Sequence, residues 1–155
     1  MVAFESIARL LQFLHWIAAI AATAACVHLI VRLWRARGDR RAYVHARTLL
    51  VAYALLYGLG SLVYPTFRVR VRAEFLDRVY PWATGLFEIK EQAATLALVP
   101  VVGIFLLLRR PGEAEPSRKA SAKYSALALG LSSFVLLVLV FNACVGWYLG
   151  TLGDR

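Results

Sequence analysis

Six residues with side chains that can move protons or hold a polar ligand are spread over four apolar stretches: His15, Tyr57, Glu88, Glu91, Gln92 and Asn142. At about 1.5 Å of rise per helical residue, His15, Tyr57, Glu88, Glu91 and Asn142 fall about 6 to 13 Å inside the same ends of their helices. Turned inward, they would form one layer holding carboxylates, an imidazole, a phenol and an amide. Such a layer can bind a cation, relay protons, or hydrogen-bond a quinone or another polar headgroup. His15, Glu88 and Glu91 supply its metal-ligating types, and Gln92 completes the ring of polar groups around the carboxylates. A structural role competes with this chemistry: Arg68 or Arg72 could neutralise Glu88 and Glu91 and turn the cluster into an anchor.

A second pair, His28 and His45, flanks the first connection at equal distances, so a helical hairpin brings the two to similar depth. Two imidazoles from neighbouring helices could ligate a b-type haem or share a metal ion. The thirteen-residue separation of His15 and His28 resembles that of di-haem cytochrome b helices. A second helix with matching histidines is absent, so at most one bis-histidine haem fits this chain.

The elements that must position these residues are membrane spans. The chain is 61% hydrophobic with mean hydropathy +0.65, more than a soluble domain of 155 residues needs for its core. Glu88, Lys90, Glu91 and Gln92 stand where the third span should begin, because Ala93 to Leu108 covers only about 24 Å of an apolar layer about 30 Å thick. The span therefore starts at Glu88 or earlier, with charge in the outer hydrocarbon region. The expected fold is an all-α, polytopic bundle of four transmembrane helices, about 7–33, 42–64, 84–108 and 124–149, in one domain over 1–155.

The faces follow from helical periodicity. On the first span Phe13, Trp16, Ile17, Ile20, Val27, Ile30 and Val31 form a bulky arc. The opposite arc of alanines, Cys26, His15 and His28 should meet the bundle, since small residues let helices approach in lipid. Tyr53, Tyr57, Ser61 and Tyr64 make one stripe on the second, with Gly58 and Gly60 beside it. Glu88, Glu91, Gln92 and Thr95 share a face of the third, while Lys90 projects elsewhere and snorkels outward. Pro65 should end the second span, Pro100 should kink the third, and Phe67 to Val79 should form a short amphipathic interfacial helix rather than a strand. The first span should be an uncleaved helix, because Thr23 stands where a lipoprotein signal carries an aliphatic residue.

Charge placement sets the expected orientation. Of 18 basic residues, eleven flank two connections: Arg32, Arg35, Arg37, Arg40, Arg41 and Arg47 at the first, and Arg109, Arg110, Arg118, Lys119 and Lys123 at the third. The positive-inside rule then puts both connections in the cytoplasm and both termini outside, as in a multi-pass inner (plasma) membrane protein. These cations should meet anionic lipid headgroups, not nucleic acid. Cys26 and Cys144 lie near opposite faces of the membrane, about 20 Å apart, too far for a disulfide, and should be packing residues. No nucleophile elbow, phosphate loop, CxxC or HExxH occurs, which argues against an isolated enzyme. The functional expectation is a polar site serving a membrane redox system through quinone, haem, metal or protons. The alternatives are a small oligomeric channel or transporter, and a non-catalytic subunit of a larger membrane complex or homo-oligomer.

Overall fold

A computed structural model of the chain describes residues 2–35, 40–109 and 118–153. The first and third connections, with Arg37 and Arg110, lie outside the described residues. Helices α1 (Val2–Arg35), α2 (Arg40–Phe67), α4 (Pro81–Leu108) and α5 (Arg118–Gly153) are joined, between α2 and α4, by a π-helical arm (Arg68–Leu76) and a single turn α3 (Asp77–Val79). Each long helix carries a stretch apolar enough to cross a membrane: Ser6–Arg35, Arg41–Pro65, Pro81–Leu108 and Lys123–Leu152. The shortest, at 25 residues, reaches about 37 Å, beyond the apolar thickness of about 30 Å. The protein is a four-span membrane bundle.

The helices close into a ring in which α1 meets α2 and α5, and α4 meets α2 and α5. The main core comes from one half of that ring, the half nearer the α1–α2 connection. Ala22, Ala25, Cys26 and Leu29 of α1 meet Ala46, Leu49 and Tyr53 of α2, Ala97, Val101 and Ile104 of α4, and Ala128, Val135 and Leu139 of α5. Alanine at the α1 contact lets backbones approach, so dispersion contacts and short polar links hold the half together. Cys26 Sγ donates to the Ser132 carbonyl at 3.2 Å, tying α1 to α5. Tyr53 Oη donates to the Ala94 carbonyl at 2.8 Å, tying α2 to α4.

The other half, nearer the arm, is sparsely filled. Its cluster is Leu76, Ala83 and Leu152, with Tyr80 and Leu149 against it. No α1 side chain from Ser6 to Ile17 is buried; burial on this helix begins at Ala18. The bulky arc of α1 is outward at Phe13, Trp16, Ile17, Ile20, Val27 and Val31, but its remaining member, Ile30, is half-buried and packs against the core beside Leu29.

Three local expectations are corrected. Pro65 does not end the second helix, which continues to Phe67 and passes directly into the π-helical arm. Proline removes one N–H and displaces the carbonyl one turn earlier, a disturbance that a helix bordered by a wider π segment accommodates without stopping. Cys144 is exposed, not packed, while Cys26 is in the core, and both are free thiols. His28 is exposed, because the buried seam of α1 runs through Ala22, Ala25, Cys26, Leu29 and Leu33, leaving His28 on its flank. Helix α4 is continuous through Pro100.

Candidate functional site

The tyrosine stripe of α2 does turn towards α4 and the arm, and each member finds a different partner. Tyr53 is buried on Ala94, as above. One turn on, Tyr57 Oη lies 3.2 Å from Thr95 Oγ1, which also donates to the Glu91 carbonyl at 3.0 Å. Ser61 donates back to the Tyr57 carbonyl of its own helix. Tyr64 stacks on Phe87 of α4 with ring centres 6.3 Å apart.

At the arm end, these contacts lead to a charged clamp. Arg72, in the π-helical arm, donates from Nη2 to Glu88 Oε1 at 2.7 Å and has its Nε 3.8 Å from Asp77 Oδ2. Asp77 in turn accepts from the buried Thr84 hydroxyl at 2.6 Å. The short N–H to carboxylate distance marks a charge-assisted bond. Partial removal from solvent pulls the Arg72 guanidinium down, but its hydrogen bond to Glu88, the charges of Glu88 and Asp77 and a hydrogen bond with Tyr64 outweigh this and leave it above its ordinary value. The clamp fixes the arm across the start of α4. The side chains of Arg72 and Glu88 remain 25% and 48% exposed, so ions and polar headgroups reach the pair and screen it.

The remaining site residues are dispersed around the ring. His15 is half-buried, with Nδ1 3.0 Å from the Leu56 carbonyl. It packs against Gly60, where an added Cβ would meet His15 Cε1 at 3.1 Å, so the imidazole would have to give by a few tenths of an ångström. The charged residue acting on His15 is Lys90, itself half-buried and 4.9 Å above the Phe87 ring. Asn142 spends its amide on the Val138 carbonyl of its own helix, at 2.9 Å. Glu91, Gln92, Thr95 and Leu96, all on α4, border a shallow and largely open surface depression of about 360 Å³. Gln92 and Thr95 are exposed and Glu91 is half-buried.

The layer expected from equal depth is thus divided among several partners. Glu88 pairs with Arg72, Glu91 borders the surface depression, and each contact described for His15 runs to α2 or Lys90. Among the described residues no three His, Cys, Asp or Glu side chains gather as a metal-binding group. At the opposite end His28 and His45 do come together, ring centres 5.6 Å apart and planes inclined by 21°. Sequence reading passed over Asp77, Thr84, the Tyr64 contact and the seat of Lys90 over Phe87. For Thr84 and Asp77 the only available signal was seven-residue spacing across a turn.

The fold and these contacts define an all-α, four-span membrane protein with a clamped arm between its second and third spans. No family model, curated protein or solved structure matches the chain.

Proposed function

We propose that this chain is a non-catalytic subunit of a membrane assembly, which seats a second membrane chain against the outer face of α2 and α4 in the arm half. One observation carries the reading: Gln92 and Thr95 are exposed and Glu91 half-buried on one face of α4, inside a stretch apolar enough to cross a membrane. Polar groups facing hydrocarbon are costly, and intramembrane carboxylates pair with protein groups or water. A partner helix carrying donors would satisfy Glu91 and Gln92 and fill the sparse half of the ring. The Arg72 clamp supports the same role, since it fixes the arm beside that face. Basic residues concentrated at the two connections support an inner-membrane orientation with both termini outside.

Photo-crosslinking in native membranes tests this. A benzophenone side chain at Gln92 should form a protein adduct heavier than the 17.2 kDa chain, while the same probe at exposed Val44 in the closed half should not. An unmodified chain at both positions would reject the partner.

A further inference from the structure

We propose that the chain seated against α4 is a second copy of this one: two copies meet along α4 about a two-fold axis parallel to the membrane normal, with Gln92 paired to Gln92 across it. This rests on the subunit reading above and names its partner.

An unpaired amide carries the argument. Gln92 is exposed and makes no hydrogen bond among the described residues. It stands eleven residues after Pro81 and sixteen before Leu108, the ends of its apolar stretch, so its carboxamide lies about 16 Å from the nearer end. Two donors and an acceptor therefore face hydrocarbon, where nothing in the lipid can satisfy them. Other outward polar groups are already satisfied: Thr48, Ser61 and Ser133 each donate to a carbonyl of their own helix. Gln12 is exposed as well, but it stands six residues from the start of its stretch at Ser6, about 9 Å, within closer reach of the headgroups.

An identical residue satisfies Gln92. A carboxamide both donates and accepts, so two of them related by a two-fold axis exchange N–H···O bonds, and the symmetry sets them at equal depth. The rest of the face has the spacing that a parallel pair needs. Gln92, Thr95, Val99, Val102 and Leu106 follow one another at intervals of three, four, three and four, and all are exposed. That is the seam of a left-handed helix pair, in which one polar position fixes the register. Thr95 does not compete for that role, since its hydroxyl is given to the Glu91 carbonyl.

Charge does not oppose the contact. Glu88, one turn before Gln92, is paired with Arg72 at 2.7 Å, so the copies meet there as ion pairs and not as bare carboxylates. Lys90 lies about 160° round the helix from Gln92 and is seated over Phe87. Glu91 lies about 100° round, at the edge of the seam.

The test uses the full-length chain in native membranes, with Cys26 and Cys144 replaced and single cysteines oxidised by copper phenanthroline. Val99→Cys should give a disulfide-linked species of twice the chain's mass, whereas Leu137→Cys, on the outer face of α5 and 67% exposed, should not. Equal yields at the two positions, or none at either, would overturn the seam. Sedimentation equilibrium in density-matched micelles then measures the association itself. Gln92→Leu should weaken it about fivefold or more, and Gln92→Asn, which keeps a self-complementary amide, should weaken it less. Unchanged association in Gln92→Leu, or equal loss in the two variants, would overturn the amide pairing. A benzophenone adduct at Gln92 whose mass is not twice that of the chain would reject the second copy and leave the subunit reading standing; no adduct would reject both.

Discussion

The half of the bundle near the α1–α2 connection is closed, whereas the half near the arm is open, although the same four helices run through both. In the closed half, Ala22, Ala25, Ala46, Ala97 and Ala128 bring the helices together and Leu29, Leu49, Val101, Ile104 and Val135 fill what remains. In the open half, the buried cluster shrinks to Leu76, Ala83 and Leu152, and polar side chains occupy the rim. Small residues permit close packing in lipid; carboxylates and amides must find partners one by one. The difference places the tight packing in one half and the exposed polar groups of α4 in the other.

The largest contrast is an all-or-none one between the two ends. With Cys26 and Cys144 replaced, a cysteine at Glu74 in the arm should react with an impermeant maleimide on intact cells, and one at Ser117 should not. Preferential labelling at Ser117 would invert the orientation that the basic residues imply. Next comes packing. Leu49→Ala in the closed half should cost about 2–5 kcal/mol, measured by reversible unfolding in mixed micelles, while Leu10→Ala on the exposed stretch of α1 should stay within about 0.5 kcal/mol. Equal losses would mean that the open half is also tightly packed.

The clamp gives a smaller, local effect. Arg72→Gln or Glu88→Gln should speed hydrogen exchange and proteolysis across Arg68–Val79 while leaving the closed half protected, and the exchanged pair Arg72→Glu with Glu88→Arg should restore part of the protection. Because Arg72 is held above its ordinary, already high value, its contribution is present throughout the neutral range; on the alkaline side it would be lost as pH rose through that raised value, and in strong acid as its carboxylate partners took up protons. Added salt, by contrast, should loosen the arm. The smallest effect is at Gly60→Ala, where the new methyl meets His15 Cε1 at 3.1 Å. A loss of about 1 kcal/mol is expected from overpacking, relieved in the double variant with His15→Ala. No relief would mean that another contact sets the approach of α1 to α2.

Amino-acid order by itself determined four membrane spans, most of the outward bulky arc of α1, the grouping of the tyrosines of α2 on one stripe and an α4 that begins before Glu88, since apolar length and helical period act locally. It also paired His28 with His45, because a hairpin fixes two depths at once. Depth alone did not determine which polar groups meet. His15, Glu88, Glu91 and Asn142 were expected at one level from their positions along their helices, yet each side chain's direction depends on the rotation and separation of its helix, which the whole packed ring sets. Only the tertiary structure gave Glu88 to Arg72, His15 to Leu56 and Gly60, and Gln92 to the outer face. The physical reason is that the buried seam of small residues positions each helix, and that rotation decides which polar side chains come within bonding reach of a neighbour.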